Sequence, residues 1–172
     1  VACANGYQGV LMAPTEILAA QHASKFAPLA DKLGIDYALL TASTPRSQAQ
    51  STLAGIASGR IKVVFGTQSL LSERVKFSSL SLAVIDEQHK FGVNERAELQ
   101  NKGAEDVLTL TATPIPRSLA LTFYDDIAVS RVEKRADALS HISTKVVSSA
   151  KLADMLGFIA SECRAGKQAF IV

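Results

Sequence analysis

Five short apolar runs, recurring roughly every 25 residues, constrain this chain more than any other feature. They are Val10-Leu11-Met12-Ala13, Tyr37-Ala38-Leu39-Leu40, Lys62-Val63-Val64-Phe65, Leu82-Ala83-Val84-Ile85 and Val107-Leu108-Thr109-Leu110. Runs so brief and so nearly continuous are the mark of strands buried on both faces of a parallel sheet. Helical patterns fill the gaps. Ile17, Leu18, Gln21, His22, Lys25, Phe26 and Leu29 place apolar residues at helical spacing, and Gly34 follows as a stop. Residues 46–58 end at Gly59 and residues 94–102 at Gly103 in the same way. A further helix is expected over 116–124, with Pro116 in its first turn. This alternation predicts an α/β fold, a doubly wound parallel sheet. The 26 alanines favour closely packed helices over an all-β chain.

The rhythm breaks between Asp125 and Val147, where Arg131, Glu133, Lys134, Arg135 and Asp137 fall in a weakly periodic stretch. Residues 1–127 are therefore expected to form one lobe, 128–148 a connector, and 149–172 the start of a second lobe. In the last piece a helix over 149–164 ends near Gly166 and leads into a strand over 168–172. The chain opens on Val1 in what reads as the end of a helix, the pattern of a piece of a longer protein.

Composition narrows the functional classes. The net charge is only +2, with 48% hydrophobic and 20% charged residues, which excludes a disordered chain and a polybasic, histone-like binder. Cys3 and Cys163 are far apart and have no CxxC or histidine companions, so reduced thiols in a cytoplasmic protein are expected. No apolar run approaches the roughly 18 residues a membrane helix needs.

In an open α/β sheet, ligands bind beyond the carboxyl ends of the strands. The fourth run delivers Asp86-Glu87-Gln88-His89 there. Paired carboxylates on an apolar strand suit nucleotide hydrolysis, one holding Mg²⁺ through its water shell and one orienting the attacking water. They equally suit the start of a helix, where acids favour the dipole. The fifth run ends in Thr111-Ala112-Thr113-Pro114, the first in Ala13-Pro14-Thr15-Glu16, and the third in Gly66-Thr67-Gln68-Ser69. The first and third each set a hydroxyl and backbone N–H groups where a phosphate binds, or where a simple N-cap forms. The two hydroxyls of the fifth flank a small residue and suit a bond to a phosphate-binding loop on one side and to a neighbouring domain on the other, although Thr is ordinary in strands.

Taken in order, APTEILAAQH, GTQSLL, DEQHKFGV and TATPIPRSLAL resemble the motor core of superfamily 2 helicases. More narrowly, the chain is similar to the RecG family of bacterial ATP-dependent DNA helicases, which remodel stalled forks and branched junctions. The transcription-repair coupling translocases share TATPIPR, but usually carry a third acid where this chain has Gln88, and lack the acid found here as Glu16. The resemblance implies the first lobe of a RecA-like P-loop NTPase, with ATP and Mg²⁺ as cofactors. Asp86 would hold the Mg²⁺, Glu87 would orient the water, and Gln88 and His89 would link nucleotide state to the DNA side. Thr111, Ala112 and Thr113, with Arg117 just beyond, would couple hydrolysis to strand movement. Pro14, Thr15, Glu16, Gly66, Thr67 and Gln68 would line the DNA path. Implied partners are branched or forked DNA, a second helicase lobe and an oligonucleotide-binding wedge domain, with no membrane.

The chain departs from the family pattern in four places. Gln68-Ser69 stands for a usual His-Ala, Lys90 for a usual Arg, and Glu133-Lys134-Arg135-Ala136-Asp137-Ala138-Leu139 for an acidic, double-proline stretch. The phosphate loop G-x-x-x-x-G-K-[ST] does not occur in these 172 residues, since Ser161 precedes Gly166-Lys167 where a glycine is required. The family layout places that loop before Val1, so the isolated chain is expected to be inactive as an ATPase. A helicase-shaped module that binds nucleic acid without hydrolysis is the alternative.

Overall fold

All five apolar runs form strands in a computed structural model of the chain, which describes residues 1–87, 94–111, 128–130, 132 and 143–171. The strands are β1 (Gln8–Met12), β2 (Tyr37–Leu40), β3 (Val63–Gly66), β4 (Leu80–Asp86) and β5 (Asp106–Leu110). They build one sheet in the order β2-β3-β1-β4-β5, every pair parallel. The chain winds out from the central β1 to one edge and then to the other, the doubly wound arrangement. The helices between are α1 (Glu16–Leu33), α2 (Arg46–Ala57) and α3 (Asn94–Asn101). Residues 1–123 and 124–172 make two separate compact units.

Helix α1 begins because the Thr15 side chain accepts a hydrogen bond from the Leu18 N–H at 3.3 Å, and it stops at Gly34, which turns left-handed at φ 62°. Its buried stripe is Ala19, Ala23 and Ala30, whereas Ile17 is 73% exposed and Leu29 50%. The helical spacing of Ile17, Leu18, Phe26 and Leu29 predicts that the large apolar residues face the sheet. The sheet is instead approached through alanines, whose small side chains let the helix backbone come close. Pro28 interrupts the ladder at the Ser24 carbonyl, so the turns before it carry the regular geometry. Two residues before Pro28, Phe26 packs on Tyr37 of β2 and Phe65 of β3, with ring centroids 5.8 and 5.5 Å away. The core of the first unit is Val10, Met12, Leu40, Ile56, Val64, Leu70, Ile85 and Leu99 with their neighbours.

Gln8 is the one fully buried polar side chain among the described residues. Its Nε2 donates to the carbonyls of Ile56 (2.9 Å) and Ile61 (2.7 Å). Its Oε1 accepts from the amides of Ser78 (2.8 Å) and Ser79 (3.0 Å). Every hydrogen-bonding position of the amide is used, and two loops are pinned to the amino end of β1. Gln8→Leu keeps the volume but removes the partner of the Ile61 carbonyl and of the Ser78 and Ser79 amides, while the Ile56 carbonyl keeps the Gly59 amide, so it should lower stability by about 2–3 kcal/mol. A urea midpoint unchanged from the parent would contradict this.

In the second unit, the side chain of Ser148 accepts from the Ala150 amide to start a 3-10 turn at Ser149–Lys151, and α4 (Leu152–Arg164) follows. The helix expected here is thus present. The strand expected over 168–172 is not, because residues 168–171 have no regular structure. Phe170 and Ile171 are 88% and 78% exposed. A strand exists only against a neighbour that takes up its backbone hydrogen bonds, and none of the described residues in this unit supplies one. The helix expected over 116–124 lies outside the described residues. Among those that are described, no helix is long and apolar enough to cross a membrane.

Candidate functional site

Strand register brings the separate motifs into one row. Met12 pairs with Gly66 on one side and with Ile85 on the other, Leu40 pairs with Gly66, and Asp86 pairs with Leu110. One step further along each strand stand Thr41, Thr67, Ala13 and Asp86, with Thr111 following Leu110 on β5. All lie at the carboxyl edge of the sheet, where a parallel sheet presents its ligand site.

On the β4 side, Asp86 is the last strand residue and Glu87 follows it directly. Glu87 has φ 53°, the only positive value outside glycine among the described residues. That conformation costs an ordinary residue about 1–2 kcal/mol. Backbone strain of this kind concentrates at functional sites, where the surrounding structure fixes an unfavourable geometry. Asp86 accepts a hydrogen bond from His22 Nε2 at 2.8 Å, and both side chains are largely shielded, 17% and 30% exposed. His22 sits on α1, 64 positions away in sequence.

On the β1–β3 side, the loops are laced together by hydroxyl groups. Thr15 caps α1, and Glu16 is its first residue. The Ser43 amide donates to Glu16 Oε1 at 3.1 Å, and Ser43 Oγ donates to Oε2 at 2.5 Å. Within the loop after β2, the Thr41 amide donates to Thr44 Oγ1 (2.9 Å), and the Thr41 and Ser43 hydroxyls are 3.0 Å apart. Ser69 Oγ donates to the Leu40 carbonyl at 3.1 Å, joining the loop after β3 to the end of β2. Thr67 Oγ1 lies 3.3 Å from Ser69 Oγ, and Gln68 Nε2 donates to Glu95 Oε1 of α3 at 3.3 Å. Gly66 is required by close approach: a Cβ there would stand 2.2 Å from the Leu40 carbonyl oxygen.

The hydrogen bonds from Ser43, its hydroxyl first, hold the Glu16 carboxyl below its ordinary value of 4.5. Because the folded-state pKa is the lower one, this tie is complete above pH 4.5 and is lost as pH falls through the folded value. A titration that follows the Ser43 amide resonance should therefore move only on the acid side of that point. Movement near neutrality would contradict the assignment.

Of the residues singled out from sequence, Pro14, Thr15, Glu16, Gly66, Thr67, Gln68, Asp86, Glu87 and Thr111 fall along the one edge. Gln88, His89, Ala112, Thr113 and Arg117 lie outside the described residues. His22, Thr41, Ser43 and Thr44 were not singled out. His22 stands inside APTEILAAQH, yet its helical spacing reads only as part of an amphipathic pattern. Among the described residues no group of three or more His, Cys, Asp or Glu is placed to hold a metal by itself.

A five-stranded parallel sheet with alternating helices and its polar loops along the carboxyl edge is the fold of a RecA-like helicase lobe. The DEAD/DEAH box helicase family matches residues 2–122, and the chain belongs to that family. Within it, the chain resembles RecG. It is 43% identical over 169 residues to the ATP-dependent DNA helicase RecG of Bacillus subtilis, covering 98% of this chain and 25% of that protein. It is 42% identical to RecG of Synechocystis, over 97% of this chain and 20% of that one. A solved structure of RecG bound to a three-way DNA junction matches with a TM-score of 0.77 and 38% identity, covering 96% of this chain and 22% of that one. The helicase MrfA bound to DNA and AMPPNP matches at TM-score 0.51 and 19% identity, covering 68% of this chain and 19% of that one, which speaks for the fold alone. The chain spans about a quarter or less of the length of the curated relatives it matches.

Proposed function

We propose that this chain is part of the motor of an ATP-dependent DNA helicase that acts on branched DNA in recombination and repair, in the cytoplasm. Residues 1–127 belong to its first lobe, 128–148 to the connector and 149–172 to the start of the second lobe. The observation that carries this is the single row at the carboxyl edge, with Asp86 and Glu87 on one half and the laced hydroxyl loops on the other. The choice of branched DNA is supported by the likeness to RecG on a three-way junction.

The donor chemistry at Asp86 fits Mg²⁺. The ion prefers oxygen ligands and keeps most of its waters, so one or two carboxylates and the nucleotide phosphates suffice. When bound, Mg²⁺ offsets the charge developing on the transferred phosphoryl group. Asp86, the last residue of β4, would hold the ion through its water shell. His22 fixes one carboxylate oxygen and so sets its orientation. Glu87, held in its left-handed conformation, accepts a hydrogen bond from the attacking water and aligns it. Thr111, which follows the last residue of β5, and Thr113 would relay the change to the partner lobe. On the other half, Thr15, Thr67 and the loop amides hydrogen-bond phosphates of one DNA strand, contacts that position the strand and carry no sequence preference.

Strand release from a labelled three-way junction tests this directly. A full-length protein carrying this chain should release strands with ATP and magnesium, and not without ATP. Equal release with and without ATP would overturn the proposal.

A further inference from the structure

Two side chains on α1 reach in different directions. Glu16, in its first turn, binds Ser43 in the loop after β2. His22, six residues on, binds Asp86 at the end of β4. At 3.6 residues per turn and 1.5 Å rise, the two positions are about 9 Å apart along the axis and roughly 120° apart around it. The helix packs on β2 and β3, while β4 lies on the far side of β1. His22 is therefore the point where this helix crosses to the strand bearing the acid pair. The stretch from Glu16 to His22 precedes Pro28, so it is an uninterrupted helical segment, seated through Ala19 within it and Ala23 just after it.

We infer that His22 is a positioning residue that makes α1 a mechanical link between Asp86 and the hydroxyl loop Thr41–Thr44, so that nucleotide occupancy at one end biases DNA-phosphate binding at the other. The inference rests on the motor reading given above and extends it to a residue that touches neither nucleotide nor DNA. The physical basis is short and continuous. The His22–Asp86 hydrogen bond is shielded from water, which strengthens it relative to an exposed pair. When the Asp86 carboxylate turns toward a bound ion, its partner must follow or the hydrogen bond is lost. A rigid helix passes that displacement to Glu16, whose two hydrogen bonds hold Ser43. Linkage makes the effect reciprocal, so DNA bound at the loop must raise nucleotide affinity by the same factor.

The test uses a full-length protein carrying this chain and the non-hydrolysable probe Mg–AMPPNP. Its affinity is measured with and without a saturating three-way junction. Wild type should show a junction-induced gain within the usual range of about 5–150-fold. His22→Leu should bring that ratio close to one while junction affinity in the absence of nucleotide stays within a few-fold of wild type. His22→Gln places an amide N–H where the imidazole Nε2 stands and should restore most of the ratio. Glu16→Gln, which weakens the other end of the link and leaves Asp86 untouched, should lower the ratio as well and keeps the test open should His22→Leu fail to fold. A coupled wild type whose ratio survives both His22→Leu and Glu16→Gln would overturn the inference and leave the motor reading standing. A wild type that binds no nucleotide would overturn both.

Discussion

Replacing Glu87 by glutamine in a full-length protein carrying this chain should lower ATP hydrolysis by about 10²–10⁴-fold, the usual contribution of a positioned acid–base group. Nucleotide binding should persist, because the substitution leaves Asp86 and its oxygen ligands in place. The expectation comes from the backbone as much as from the side chain. Glu87 follows the last residue of β4 at φ 53°, and a residue kept in that conformation is held by its surroundings against its own preference. Glutamine has the same shape and the same backbone preference, so the fold should tolerate the change while the carboxylate's ability to accept the water's proton is lost. Hydrolysis within tenfold of wild type would remove Glu87 from the role given to it.

The second large effect is on folding. Gly66→Val should cost about 3 kcal/mol or more, the upper end for forcing atoms into a packed interior. Even the first added atom, the Cβ, would stand 2.2 Å from the Leu40 carbonyl oxygen and 2.8 Å from Leu70 Cγ. The first of these is backbone in the neighbouring strand, which has no rotamer to escape into. Leu40 and Gly66 are register partners, so the clash falls where β2, β3 and the Thr67 loop meet. A thermal or urea midpoint within error of the parent would contradict this account. Gly66 entered the sequence argument as a residue of the DNA path, and the structure gives it a packing reason that is independent of any ligand.

Much of the fold was legible from periodicity alone, since strands buried on both faces are apolar at nearly every position; β5 departs from that expectation, with Leu108 51% exposed. The row of motifs at the carboxyl edge was legible for a related reason. Polar residues that interrupt an apolar run must sit where the strand leaves the sheet, as Asp86, Thr67 and Thr111 do. What sequence could not give was contact between distant positions. His22 meets Asp86 across 64 residues, and nothing in the spacing of α1 marks it apart from other polar positions. Gln8 opens an apolar strand and reads as a boundary residue, yet it is fully buried and satisfied by two loops. The inward stripe of α1 was hidden because its residues are alanines, which carry little hydrophobic signal but allow the closest approach. The run Gln168-Ala169-Phe170-Ile171 shows the opposite failure, strong strand propensity with no partner among the described residues to satisfy it.

In the function proposed for it, one edge of this sheet couples nucleotide hydrolysis to branched DNA. The most direct measurement is the ATP turnover of a full-length protein carrying this chain, with and without a three-way junction. Turnover should rise severalfold with the junction, and the rise should disappear in Glu87→Gln. Turnover that ignores the junction, or no turnover in a folded protein that still binds it, would contradict the claim and make this lobe a helicase-shaped binding module.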